Sequence, residues 1–228
     1  MCRGQDYCTE LDKDTSNWNK QSLLDNPKWF NSQIDIFIEA VKLFVIYNDK
    51  QGCLNLLSTL RNDEMQDWFI EHGQMSGRHR KNTLNIQKPP IIDESLRDAI
   101  RSPKKYQKAV FKRDGYRCRY CGIRLLSQKF VKEFSKKLNS NLFQRGKTNK
   151  STNGLILNFW PVADHVFPWN MGGQTNESNL VSSCSSCNYG KDGYTCEQLG
   201  IENPFDREPI VDNWDGLESY IDELKTSL

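Results

Sequence analysis

Two cysteine pairs, Cys118-Arg-Tyr-Cys121 and Cys184-Ser-Ser-Cys187, enclose the dipeptide Asp164-His165, and Asn188 directly follows the second pair. In a C-x-x-C turn, two thiolates can reach one metal ion, and two such turns supply the four sulfur ligands of a closed tetrahedral site. Zinc prefers this ligand set where its role is structural. The alternative of four unrelated buried thiols fits two matched pairs poorly. The sequence therefore predicts a structural zinc ion held by Cys118, Cys121, Cys184 and Cys187.

Between and after the pairs lie further motifs that a structural zinc ion does not need. They are the runs Asp164–Pro168, Gly172-Gly173, Asn179-Leu180 and Cys184–Asn188, followed by Lys191. Together they resemble the zinc-bearing HNH (ββα-metal) endonucleases, over roughly residues 106–194. The resemblance implies an α+β fold with a ββα-metal core around the zinc site, and hydrolysis of phosphodiester bonds in DNA.

The resemblance also implies a role for each polar residue of the motif. His165 would act as the general base, since an imidazole with an ordinary pKa near 6.5 is largely neutral in the cell. Asp164 and Asn188 would bind one catalytic divalent cation, and oxygen ligands suit Mg²⁺ or Mn²⁺. Asn179 would hold the intervening loop so that the histidine points correctly. Lys191 could contact a phosphate, and an ordinary solvated lysine is the equal alternative.

The net charge of +2 hides a strong asymmetry along the chain. Residues 101–150 contain sixteen Lys and Arg against Asp114 and Glu133, which gives this window a charge of +14. Such a basic window next to the first cysteine pair would attract a polyphosphate backbone, although a solvated helix face is the other interpretation. Its predicted DNA-contacting residues, besides Lys191, are Lys129, Lys132, Lys136 and Lys137.

The domain prediction places a mainly helical N-terminal domain and linker in residues 1–90 and the HNH nuclease domain in residues 91–228. Apolar residues at helical spacing, from Ile34 to Val45, predict a central helix over 31–49, and Pro89-Pro90 interrupts any helix across the linker. The nuclease domain would carry a basic insertion (126–154) and an acidic helical tail (195–228).

Local patterns predict the remaining elements. Ser127 to Leu138 has the spacing of an amphipathic helix, and the apolar run Leu155–Trp160, bounded by Gly154 and Pro161, reads as the first strand of the core hairpin. The returning strand would begin at Leu180. Further helices are predicted from Gly52 to Leu60, from Asp63 to His72, over 94–101, from Pro103 to Asp114, and over 213–224.

Composition favours a cytosolic protein, because no run of about eighteen apolar residues and no signal-peptide core is present. A reducing compartment also favours metal binding over disulfides. The predicted function is a metal-dependent DNA endonuclease in restriction, anti-phage defence or mobile-element processing. Its partners would be double-stranded DNA and possible further subunits, as a homodimer or through the N-terminal helices. The alternatives are a zinc-stabilised nucleic-acid-binding module and a nuclease subunit active only within a partner complex.

Overall fold

An antiparallel hairpin followed by a helix forms the centre of the second half of the chain. Strand β3 (Pro161–His165) pairs with β4 (Leu180–Cys184) so that Asp164 faces Val181 and His165 faces Leu180. Helix α7 (Ser185–Lys191) follows β4 without a loop, and the Cys184 sulfur accepts a hydrogen bond from the backbone N–H of Cys187 at 3.4 Å. The predicted mixture of helices with a small antiparallel sheet is confirmed.

The computed structural model describes residues 25–74 and 91–226, together with the backbone of a two-residue strand pair, β1 (Tyr7–Cys8) and β2 (Lys13–Asp14). The predicted linker and the domain boundary near residue 90 therefore lie outside the described residues. Among the described helices, none is both long and apolar enough to cross a membrane.

The other described helices are α1 (Phe30–Val45), α2 (Lys50–Ser58), α3 (Asn62–Trp68), α4 (Gln107–Arg113), α5 (Gln128–Leu138), α6 (Gly154–Phe159) and α8 (Ile221–Thr226). A π-helical turn, Phe69–Gly73, extends α3. Short 3₁₀ turns lie at Glu94–Leu96, Pro103–Lys105, Trp169–Met171, Pro204–Asp206 and Glu218–Tyr220.

The N-terminal helices share one hydrophobic core with the segments around the hairpin. The Phe30 ring of α1 lies 5.7 Å from the Phe159 ring of α6, and the Phe37 ring stacks on Phe143 at 4.7 Å. Helices α3 and α6 approach closely at Gly154, where an added Cβ would lie 2.5 Å from the Met65 Cβ. The division of the chain at residue 90 stays a prediction, but the apolar faces of α1 and α3 are buried against residues beyond it.

The prediction of a strand at Leu155–Trp160 is wrong, because these residues form helix α6. The Asn153 side chain caps this helix by accepting a hydrogen bond from the Leu155 N–H at 2.9 Å. Leu155 and Phe159 stand four residues apart, so in a helix both enter the core, where both are fully buried. A short apolar run does not distinguish a buried strand from a buried helix. The hairpin instead begins at Pro161.

Two predicted helices are much shorter in the structure. The segment 94–101 contains only the 3₁₀ turn Glu94–Leu96, and the predicted helix over 213–224 is replaced by a 3₁₀ turn and α8. The second shortening has a local cause, because Leu217 adopts a positive φ of 69°, which an α-helix does not allow. Leu217, Ile221 and Leu224 are nevertheless buried, as their spacing predicts.

A substitution at Phe30 tests whether the N-terminal helices belong to the common core. Phe30 is 1% exposed and contacts both Trp68 and Phe159. We expect Phe30→Ala to lower the free energy of unfolding by about 3 to 5 kcal/mol, because it opens a cavity in that core. Urea denaturation measures the change, with Ile46→Ala as the control, since Ile46 on the same helical segment is 55% exposed. Equal stability of the two variants would contradict the shared core.

Candidate functional site

The four predicted zinc ligands converge, although they come from two distant segments. The sulfur atoms of Cys118, Cys121, Cys184 and Cys187 all lie within 4.8 Å of one another. Three of these cysteines are buried, and Cys121 is half-buried. Cys118 and Cys121 lie in the turn after α4, and Cys184 and Cys187 lie at the junction of β4 with α7. This cluster could hold a zinc ion.

The sulfur geometry fits zinc in particular. The Sγ atoms of Cys121 and Cys184 are 3.8 Å apart, which is far too long for a disulfide. Zinc–sulfur bonds of about 2.3 Å give a tetrahedron whose sulfur–sulfur edges measure about 3.8 Å. The Asn26 side-chain amide donates a hydrogen bond to the Cys121 sulfur at 3.0 Å, and such outer contacts orient and stabilise a thiolate ligand.

Asp164 and His165 are neighbours on β3, so their side chains leave the strand in opposite directions. Asp164 is 6% exposed, and its Oδ2 accepts a hydrogen bond from the Tyr120 hydroxyl at 2.6 Å. The Lys191 ammonium lies 3.5 Å from the same oxygen. Burial raises the pKa of Asp164, while Lys191 and Tyr120 lower it. Among the described residues, Oδ1 makes no hydrogen bond, so one carboxylate oxygen is available to a ligand.

His165 is held by the loop between the two strands. Its Nε2 lies 2.9 Å from the Thr175 hydroxyl, and the Thr175 N–H donates to the Asp98 carboxylate at 2.7 Å. Burial lowers the pKa of His165 to about 4, with further lowering from the positive charges of Lys191 and Arg101 and an opposing effect of Asp98. At neutral pH the imidazole is therefore uncharged, and it can accept a proton.

Asn179 fastens the same loop. Its side-chain oxygen accepts from the Phe167 N–H at 2.8 Å, and its amide donates to the carbonyls of Phe167 and Gln174 at 3.0 and 2.9 Å. Gly173 is required at this point, because an added Cβ would lie only 1.9 Å from the Phe167 carbonyl oxygen. The Asn179 side chain thus links two parts of the loop that follows His165 by hydrogen bonds.

Asp164, His165 and Asn188 line one cleft of about 930 Å³. Asn188 lies in the first turns of α7, and its side-chain amide makes no hydrogen bond to any other described residue. One cleft is therefore lined by a residue with an unbonded carboxylate oxygen, a residue with an unbonded amide and a residue with a neutral imidazole. Hard divalent cations take oxygen ligands of this kind, so Asp164 and Asn188 fit the cation that the resemblance implies.

The five lysines predicted to contact DNA lie on two different helices, Lys191 on α7 and the other four on α5. Lys191 is 1% exposed, and its ammonium donates to the His165 carbonyl at 2.6 Å, so it joins α7 to β3 and is not available to a phosphate on the surface. Lys129, Lys132 and Lys136 are exposed on α5 and Lys137 is half-buried there. Gln128, the first residue of α5, contacts the Pro161 carbonyl at 2.9 Å, at the opposite end of β3 from His165.

The sequence reasoning missed the residues that support the motif. Tyr120 lies between the first two cysteines, Thr175 lies in the loop, and Asp98 lies in the segment before α4. The Trp169 indole also donates to the Asp98 carbonyl at 2.9 Å. Only Tyr120 carried a signal, because its position inside the C-x-x-C turn fixes it near the hairpin; the other two contacts depend on loop conformation.

The site thus combines an antiparallel hairpin, the helix that follows it and a four-cysteine cluster with an adjacent histidine and carboxylate. Residues 162–192 match the family model of HNH endonucleases, a range that covers most of β3, the loop, β4 and α7. The resemblance stated from the motifs is confirmed for this segment, and an HNH domain indicates nuclease activity. No curated protein and no solved structure matches the chain.

The cysteine cluster generates a prediction about metal content. We expect Cys184→Ser to lose bound zinc and to destabilise the hairpin and α7, because three thiolates remain and zinc binding contributes on the order of 10 kcal/mol. Elemental analysis of the purified protein measures the zinc. The control is Cys53→Ala, which removes a buried thiol outside the cluster. Equal zinc content in the two variants would contradict the assignment of the ligands.

The environment of His165 generates a second prediction. Titration of the imidazole, followed by NMR of the ring Cε1–H signal, should give a midpoint near pH 4. The neutral form then persists throughout the range from weakly acidic to neutral pH. The chain has three histidines, so the spectrum of His165→Ala assigns the signal. A midpoint at the ordinary value of 6.5 would mean that His165 is not desolvated as described.

Proposed function

We propose that the protein is a metal-dependent HNH endonuclease that hydrolyses phosphodiester bonds in double-stranded DNA. The observation that carries this proposal is that His165, with its neutral imidazole, lines the same cleft as Asp164 and Asn188. The Asp164 Oδ1 and the Asn188 amide make no hydrogen bond to another described residue. The match of residues 162–192 to the HNH family supports the reaction class.

His165 would accept a proton from the attacking water. A base that is neutral at cellular pH can do so, and the Thr175 hydroxyl at Nε2 keeps the ring in a fixed orientation. Thr175 is itself held by Asp98, and the loop is held by Asn179. These contacts would keep the imidazole positioned for attack without a large reorganisation when the substrate binds.

Asp164 and Asn188 would hold a magnesium or manganese ion. When bound, such a cation stabilises negative charge on the phosphate and on the leaving oxygen. Tyr120 and Lys191 both contact Oδ2 of Asp164, which would direct Oδ1 toward the cleft. Zinc in the four-cysteine cluster would have a structural role only, since four thiolates leave no open position for water.

Two alternatives remain distinct from this proposal. A zinc-stabilised nucleic-acid-binding module would need neither a neutral histidine nor free oxygen ligands in the cleft, so those groups favour the enzyme. A nuclease subunit that acts only within a complex would keep the same cleft but require a partner for activity. A cytosolic role in restriction, anti-phage defence or mobile-element processing is part of the proposal, as is a homodimer where both strands are cut.

The function is tested by incubating supercoiled plasmid with the purified protein and magnesium or manganese. We expect nicking or linearisation, and we expect His165→Ala and Asp164→Asn each to lower the rate about a hundredfold or more, because they remove the base and the charged cation ligand. EDTA should abolish cleavage. Thr59→Ala, at an exposed position directly after α2 and outside the lining of the cleft, is the surface control and should cleave normally.

Two outcomes of the plasmid assay would contradict the proposal. Cleavage that His165→Ala retains in full would exclude His165 as the base. Intact plasmid from zinc-loaded, folded wild-type protein would contradict an autonomous nuclease and favour the partner-dependent subunit or the binding module.

A further inference from the structure

Two cavities share the lining residue Tyr189, and His165 lines the first of them. The first is the catalytic cleft described above, which is also lined by Arg97, Arg101 and Trp169. The second, called here the side groove, has a volume of about 210 Å³ and is lined by Arg145, Lys147, Trp160 and Tyr189, among others.

The junction of the two cavities is held together by polar and aromatic contacts. Gln74, which lines the cleft, accepts a hydrogen bond from the Asn149 amide of the side groove at 3.0 Å. The Tyr189 ring meets the Phe69 ring edge to face at 6.3 Å, yet Tyr189 remains 48% exposed. An exposed aromatic ring therefore stands between the catalytic cleft and the side groove.

Three cations of these cavities are not consumed by internal ion pairs, whereas Arg97 pairs with Glu94 at 3.5 Å. Arg101, Arg145 and Lys147 are exposed, and none of them pairs with an acid among the described residues. The Arg101 guanidinium lies 5.0 Å from the centre of the Trp169 ring, and the Arg145 guanidinium lies 4.5 Å from that of Trp160. The cleft and the side groove thus each present an arginine stacked on a tryptophan.

Other arginines of the basic window are used inside the fold. Arg113 pairs with the buried Asp114 at 2.8 Å. Arg117 pairs with Asp212 at 2.5 Å, and Arg124 pairs with Asp35 at 2.6 Å. These three arginines link elements of the fold. The charge of +14 for residues 101–150 is therefore larger than the positive charge that is available to a ligand.

Two lysines of α5, Lys129 and Lys137, interact with the C-terminal helix. Lys137 donates to the Lys225 carbonyl at 3.3 Å, Lys129 acts electrostatically on Asp222, and Lys225 lies near Glu133. Helix α5 therefore packs beside α8, away from His165. Its charge is partly balanced by the C-terminal helix, in contrast to the cations of the cleft and the side groove.

We propose that one strand of the DNA substrate lies across His165 from Arg101 and Trp169 at one end to Arg145, Lys147 and Trp160 at the other. This inference rests on the proposed function and names the residues that would bind its substrate. The three cations would contact phosphates, and Tyr189 would offer its exposed face to a base or sugar beside the scissile bond. Free cations combined with aromatic faces are the features that bind a nucleic acid strand.

The acidic residues of the cleft are compatible with a bound DNA strand. The acidic residues that line it are Asp164 and Asp192, and Asp164 is the residue proposed to hold the cation. A polyanion that enters the cleft would therefore be retained by the flanking cations and by the catalytic cation. Binding should consequently be weaker without the divalent cation, but it should remain measurable because the flanking cations persist.

The test compares two double variants for DNA binding. Fluorescence anisotropy with a labelled DNA duplex, in EDTA so that no cleavage occurs, gives Kd at several salt concentrations. We expect Arg101→Ala/Lys147→Ala to weaken binding on the order of tenfold and to reduce the salt slope by about two, because each substitution removes one phosphate contact. Lys132→Ala/Lys136→Ala removes the same charge from the competing surface of α5 and should change Kd less than twofold.

The outcomes separate this inference from the proposed function. If Arg101→Ala/Lys147→Ala binds DNA like the wild type, the proposed path is overturned, even if the wild-type protein cleaves plasmid. The same holds if Lys132→Ala/Lys136→Ala loses as much affinity as Arg101→Ala/Lys147→Ala. Tighter binding of an RNA duplex of the same sequence would overturn the assignment of DNA. A loss of DNA affinity in Arg101→Ala/Lys147→Ala alone supports the path. Plasmid cleavage tests the nuclease activity separately.

Discussion

The meeting of four cysteine sulfurs is the contact on which the rest of the structure depends. Cys121 and Cys184 stand 63 positions apart in the chain, yet their sulfurs are 3.8 Å apart. The segment between them contains α5, α6, the strand β3 with Asp164 and His165, and the loop that follows this strand. A metal at this cluster would close that long segment into a loop, which costs chain entropy that metal binding can offset. The N-terminal helices then pack on the outside of the closed segment through Phe30 and Phe37.

The same turns that gather the sulfurs also arrange the cleft. Tyr120, between two of the cysteines, donates to Asp164 Oδ2, and burial keeps its pKa well above the usual value, so the hydroxyl remains a donor. Helix α7 begins at the second pair and carries Asn188 into the cleft and Lys191 onto the His165 carbonyl. Damage to the cysteine cluster would therefore reach Asp164, His165 and Asn188 through these contacts.

The sequence predicted those features that depend on fixed spacing. The convergence of the two C-x-x-C pairs and the amphipathic helix from Ser127 to Leu138 both follow from local spacing. The strand predicted at 155–160 failed because tertiary packing decides between helix and strand for a short apolar run. The roles of Lys191, Thr175 and Arg101 could not be predicted, because burial and loop conformation determine them and neither has a periodic signal.

The central claim is that two different donor sets hold two different metals, sulfur for structure and oxygen for catalysis. Anomalous diffraction from crystals grown with manganese, recorded at the zinc and manganese edges, tests it directly. The account predicts a zinc peak among the four cysteine sulfurs and a separate manganese peak beside Asp164 and Asn188. Manganese bound elsewhere, or no zinc among the cysteines, would contradict it.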